Sequence, residues 1–398
     1  MLKISNIRIE NNCYLCADID IDGETNRLWY KTNEEYSKYL CDERADAFVV
    51  GLLLYAMEKE QDIEVIGKPI TSKLFQNLNA TFIPALSRAS KSYKEIRIIA
   101  TTTNEKLNNE GLNGTGISCG IDSFATIAEY TSKSCPEELK VNCLTLFNMG
   151  ASGDYGGEEA RNLFNERKIR GKQFADEYGF KFVEVDSNLS EIIKMNFYQT
   201  HTLRNSSAAL ALQKLFKNYY YSSGTSVIRF KLGDENPAPY DTFSLSMISN
   251  ENISFYSIGT PYNRIEKTEI VSNYKPSYKY LNVCVREDSN CCMCEKCKRT
   301  ILGLEAIGKL QLYKDVFNMD LIEKNKKKYI YYLTKKVYLG IPWYKDIYLI
   351  FKKNRYNIPL YVKIKAFIVG GLLRDVPRKI VEKIKRIREN KKSMKGRI

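Results

Sequence analysis

The chain of 398 residues carries 61 Lys plus Arg against 47 Asp plus Glu, a formal net charge of +14, and 44% of its residues are apolar. Such a chain can bury a large core and is globular; with no run of eighteen uncharged apolar residues, the longest candidate being 366–373, it holds no expected bilayer-spanning helix. The basic character belongs to the C-terminal end, where 301–398 holds 25 Lys plus Arg against 8 Asp plus Glu, leaving 1–300 at a net −3.

Residues 3–10, 14–21 and 26–31 alternate or cluster apolar side chains around the turns Glu10-Asn11-Asn12 and Asp22-Gly23-Glu24, which predicts a small antiparallel sheet. Helical spacing follows over 45–57, and more weakly over 74–86, where Pro84 interrupts it. Residues 1–92 thus form an N-terminal α+β unit with no chemical motif. Met1-Leu2-Lys3-Ile4-Ser5 opens it without an apolar leader, so the eleven cysteines are expected in a reducing, cytoplasmic setting.

From 93 onward the pattern changes. A strand over 94–100, a polar loop over 101–113, a Gly-containing turn, a helix over 124–130, a strand over 141–147, a helix over 158–178 closed by Gly179 and a strand over 182–185 alternate regularly. That alternation predicts parallel crossovers and an α/β, doubly wound parallel sheet over 93–308. Ligands of such sheets lie outside the carboxyl ends of strands, where the loop at Ser118 and the segment Asn148-Met149-Gly150 would converge.

Ser118-Cys119-Gly120-Ile121-Asp122-Ser123 forms a short turn at a helix start, which presents unpaired backbone N–H groups and the positive end of the helix dipole to an anion. The N–H groups from Cys119 to Ser123 and the hydroxyls of Ser118 and Ser123 would hold phosphate oxygens. Asp122 is either a Mg²⁺ ligand or a first-turn helix acid. Cys119 is either a thiol activated by the helix end or a small residue of the turn. The single histidine, His201, opens an Ala/Leu-rich helix ending near Phe216 and suits packing or capping better than general-base chemistry. Arg204 and Lys267 are the cations suited to an anionic transition state, or else surface charges.

Cys284, Cys291, Cys294 and Cys297 place four thiols in a short stretch, as tetrahedral Zn²⁺ requires, with Cys292 as an alternative to Cys291. A four-thiolate shell has no open position, so this zinc would be structural.

Residues 309–398 read as a basic helical region. Tyr329, Tyr331, Tyr332 and Tyr338 interleave with Lys326, Lys327, Lys328, Lys335 and Lys336, and 383–388 reads Lys383-Ile384-Lys385-Arg386-Ile387-Arg388, four basic residues with two isoleucines. Such a surface would attract polyanions: RNA, an acidic polysaccharide precursor, or an anionic membrane face, the last favoured by Phe367, Ile368, Val369, Leu372 and Leu373. The plain alternative is a solvated cap.

The segment 118–123 resembles the PP-loop, SGGxDS, of the N-type ATP pyrophosphatases, with Cys119 in place of a glycine. With the downstream cysteines it is similar to the 7-cyano-7-deazaguanine synthases, and Glu266-Lys267-Thr268-Glu269-Ile270 resembles the lysine-containing helix start that precedes their zinc site. The segment reading CCMCEKCKRTILGL from Cys291 also looks like the PP-loop branch that contains ATP-dependent glutamate epimerases of peptidoglycan precursors. The resemblance covers about residues 95–305 and implies a HUP-like fold with ATP and Mg²⁺ on Ser118, Cys119, Gly120, Ile121, Asp122, Ser123, Asn148 and Gly150. It reaches Asp122 and Lys267 among the candidate catalytic residues, with Arg204 a candidate by its charge alone, and it implies activation of a carboxylate or carbonyl as an adenylate with release of pyrophosphate. Ligation, amidation or epimerisation of a small-molecule or cell-envelope precursor would follow. A non-catalytic nucleotide-binding scaffold whose basic tail recruits nucleic acid or an anionic membrane is the alternative.

Overall fold

The computed structural model describes residues 1–372, and the basic run at 383–388 lies outside them. The chain divides into two compact units, Met1–Val283 and Cys284–Ile398.

The first unit is α/β. Its strands are β1 (Leu2–Glu10), β2 (Tyr14–Ile21), β3 (Glu24–Thr32), β4 (Ile63–Val65), β5 (Ile70–Thr71), β6 (Ile98–Ile99), β7 (Thr102–Thr103), β8 (Leu112–Gly116), β9 (Cys143–Asn148), β10 (Lys181–Ser187), β11 (Phe216–Ser222) and β12 (Ser254–Ile258). Ten of them make one mostly parallel sheet in the order β12-β11-β8-β9-β10-β3-β2-β1-β4-β6, and β5 pairs with β7. The antiparallel meander expected near the N-terminus is present as β1–β3, but it is no separate sheet. Thr32, Lys31 and Tyr30 pair with Val185, Asp186 and Ser187, so β3 continues the parallel sheet across the 92/93 boundary read from sequence.

Five parallel strands position the site. The chain steps outward from β8 through β9 to β10, then returns to the other side of β8 for β11 and β12. Between β8 and β11 the winding reverses, which opens a crevice at their carboxyl ends. The strand entering the glycine turn is β8, not 94–100; the latter contributes only Ile98–Ile99. The reason is tertiary. β8 reads LNGTG, with poor strand propensity, yet the Phe216 ring packs so closely on Gly114 that an added Cβ would lie 2.6 Å from it. Asn113 and Thr115 are buried with their polar atoms bonded to Glu138, Lys140 and Tyr220 carbonyls.

Helix differences have local causes. The weak helix over 74–86 forms as Ser72–Asn77 and Ile83–Ala89 joined by a widened π turn, Leu78–Phe82, just before Pro84, which has no N–H to donate. The helix holding His201 spans Phe197–Ala211: Asn196 caps it by accepting from the Tyr198 N–H, and Phe216 starts β11 instead of ending the helix. The helix Asp46–Lys59 is buried almost all round within the core cluster.

The second unit contains the helices Glu295–Ala306, Met319–Tyr338, Pro342–Lys353 and Leu360–Phe367, the last running into a π turn, Ile368–Leu372. Among the described residues no helix is long and apolar enough to cross a membrane.

Candidate functional site

The turn after β8 leads into the helix Ile121–Tyr130, whose N-cap is Gly120 in extended conformation (φ −88°, ψ 175°) with no side chain capping the first turn. The helix start is therefore open to an anion. Ser118 and Ser123 share a hydrogen bond between their hydroxyls (3.2 Å), and the Ser123 hydroxyl also donates to the Gly120 carbonyl (3.1 Å), which closes the turn on itself.

Cys119 has φ +56°, the left-handed region that favours glycine. Its thiol is buried, and burial pushes its pKa up to about 12. A buried thiol held protonated is no nucleophile. In native protein at pH 8, Cys119 should resist alkylation while the more exposed Cys13 and Cys135 react, read out by mass spectrometry of digested samples.

Asp122 projects from the first turn between two cations, with Arg264 Nη1 at 2.7 Å from Oδ2 and Lys267 Nζ at 3.3 Å from Oδ1. Both cations come from the helix Arg264–Ser272, whose start is set by a full capping box: Asn263 accepts from the Ile265 and Glu266 N–H groups, and Glu266 accepts from the Asn263 N–H. Lys267 is 2% exposed and also donates to the Ser223 carbonyl just beyond β11. Its stem passes Gly259, after β12, where an added Cβ would meet Lys267 Cε at 3.1 Å and where φ is +77°. Thus Lys267 ties the carboxyl ends of β11 and β12 to the turn after β8. Fully desolvated cations of this kind are kept only with close partners.

Sequence reasoning missed Arg264, Ser223, Gly259 and Asp241. The signal for Arg264 was the Asn263-to-Glu266 capping box, which turns residues 264 and 267 to one side of a helix start. Asp241 opens the helix Asp241–Ile248 and is 1% exposed; it accepts a hydrogen bond from the Thr202 hydroxyl, while its Oδ2 is buried with no partner among the described residues. Burial raises its pKa to about 7, against the Thr202 bond and the charge of Lys267, which both lower it.

The remaining expected residues are engaged elsewhere. Asn148 ends β9 and donates to Asp186 (2.7 Å), itself held by Arg161. Arg204 is 1% exposed and donates to Met195, Thr200, Asp154 and Ser190, with its guanidinium 5.4 Å from the Phe197 ring. Burial lowers its pKa to about 10. Gly150 (φ +114°) lies on this guanidinium so closely that a Cβ would sit 2.4 Å from Nη2. Arg204 therefore braces the loop after β9 through Gly150 and Asp154, in place of a contact to the turn at 118–123. His201 is packed, as expected: its Nδ1 faces the Tyr221 hydroxyl at 2.7 Å, its ring stacks on Tyr221, and burial lowers its pKa to about 4.

The second unit holds the cysteine centre. The sulfurs of Cys284, Cys291, Cys294 and Cys297 all lie within 4.8 Å of one another, with Cys284–Cys294 and Cys291–Cys297 at 4.0 Å. Four sulfurs at about 2.3 Å from one ion would be spaced by about 3.8 Å, so the cluster could hold a metal ion such as zinc. Backbone N–H groups of Arg286 and Glu287 point at Cys284 Sγ (3.4 Å each), that of Cys294 at Cys291 Sγ (3.3 Å) and that of Cys297 at Cys294 Sγ (3.4 Å). Such donors favour thiolates. Cys292, with φ +58°, turns its thiol to the Asn290 carbonyl (3.4 Å) and takes no part.

No family model matches this chain, and no curated protein or solved structure matches it either, so the site is read from its own geometry.

Proposed function

We propose that the first unit is an ATP-dependent adenylating enzyme of the PP-loop type. The observation carrying this reading is the convergence of an uncapped helix start, Asp122, Arg264 and Lys267 at the carboxyl ends of β8, β11 and β12, where the sheet winding reverses.

The N–H groups at the start of Ile121–Tyr130 receive phosphate oxygens, and the Ser118 and Ser123 hydroxyls reinforce them. Lys267 and Arg264 neutralise charge as a substrate carboxylate or carbonyl oxygen attacks the α-phosphorus and the bond to the bridging oxygen breaks. The products are an adenylate and pyrophosphate. Asp122 is the carboxylate that would hold Mg²⁺, which supplies charge neutralisation on the phosphates when bound.

Incubation with Mg²⁺ and ATP should yield AMP and pyrophosphate in equal amounts, slowly with water as acceptor; ADP and orthophosphate as products would overturn the assignment.

A further inference from the structure

The helix Leu360–Phe367 and its continuation Ile368–Leu372 are docked on the second unit by a narrow seam. Val362, Ala366 and Gly370 are buried, four residues apart, and at Gly370 the backbone comes so near the helix Met319–Tyr338 that a Cβ would lie 2.8 Å from the Lys335 carbonyl oxygen. The face turned away from this seam is apolar and open to water. Leu360 is 71% exposed, Ile364 52% and Leu372 66%, and Tyr361, Phe367 and Ile368 complete the stripe. Helical spacing puts all six on one side of the axis. A contiguous stripe of large apolar side chains in water marks a surface that something covers.

Charge indicates what covers it. Lys363 and Lys365 flank the stripe, and the 26 residues directly after it carry 11 Lys plus Arg against 3 Asp plus Glu. A second copy of the same face would bring these positive charges together, which opposes self-association. RNA phosphates would satisfy the lysines and leave the apolar stripe wet. An anionic lipid surface satisfies both, with Leu, Ile and Phe side chains in the acyl boundary, Tyr361 at headgroup depth and the lysines against lipid phosphates.

We propose that this face, Leu360 to Leu372, is an interfacial anchor that docks the protein on anionic membranes. Docking needs nothing from the nucleotide site. The test is co-sedimentation of full-length protein with vesicles of phosphatidylglycerol and phosphatidylcholine, with pure phosphatidylcholine vesicles and a single-stranded RNA homopolymer as competitor arms. Anionic vesicles should bind at least tenfold more tightly than neutral ones, and binding should weaken as salt rises. Leu360→Glu with Ile364→Glu should abolish it at unchanged melting temperature, since these side chains are 71% and 52% exposed. Tyr361→Trp gives a second readout, a blue-shifted emission on adding anionic vesicles. No vesicle binding, vesicle binding indifferent to the double substitution, displacement of vesicles by RNA, or a concentration-dependent dimer abolished by the same substitutions would each overturn the proposal.

Discussion

Replacing Asp122 by Asn or Lys267 by Ala should lower pyrophosphate release by about 10²- to 10³-fold, the usual cost of removing one preorganised charge from a phosphoryl site. Two substitutions of Asp122, by Asn and by Ala, should differ in stability. Asp122→Asn keeps shape and an acceptor oxygen for Lys267, whereas Asp122→Ala leaves the Lys267 ammonium, 2% exposed, with only the Ser223 carbonyl. An uncompensated buried cation costs about 3–5 kcal/mol, so Asp122→Ala should melt earlier than Asp122→Asn. Calorimetric titration with Mg²⁺-ATP, pyrophosphate release and thermal melts on the same preparations separate the effects. Unchanged nucleotide affinity and turnover in Asp122→Asn and Lys267→Ala would sink the nucleotide site. Binding of ATP without AMP formation, whatever acceptor is offered, would favour the non-catalytic scaffold.

Loss of the metal centre should show first in stability. Protein purified without chelator is expected to contain about one zinc per chain by elemental analysis. Cys294→Ser removes a thiolate ligand, while the serine hydroxyl still caps the helix Glu295–Ala306 by accepting from the Cys297 N–H, so the variant isolates the loss of the metal. A drop of about 10 °C or more in melting temperature of the second unit is expected, since structural zinc contributes folding free energy directly. Cys292→Ser should leave the zinc content intact and cost only about 1 kcal/mol, from a buried thiol changed to a hydroxyl. Metal-free protein of unaltered stability, or zinc lost on Cys292→Ser but kept on Cys294→Ser, would rule out the four-thiolate assignment.

Much of this protein was legible as local pattern. The alternation in β1–β3, the glycine-containing turn at 118–123 and the cysteine spacing are each encoded within a few residues, so hydrophobic period, glycine placement and thiol spacing determined them. What the sequence could not determine was anything that depends on residues far apart in the chain meeting in space. β8 is a strand because Phe216, about a hundred residues away, fills the space above Gly114; its own propensity opposes that outcome. Asp122 became a paired carboxylate because the capping box at Asn263 aims two cations at it across 142 and 145 residues of chain. Arg204 and Lys267 are equally buried, and their partners separate them: one cation braces the Gly150 loop, the other ties the end of β11 to Asp122. The choice between Cys291 and Cys292 likewise fell to backbone conformation, since a left-handed residue at 292 sends its thiol to the Asn290 carbonyl and leaves Cys291 among the other three. Side-chain chemistry at a site is written in the sequence, but which of the equivalent side chains arrives there is decided by loop closure, burial and the winding of the sheet.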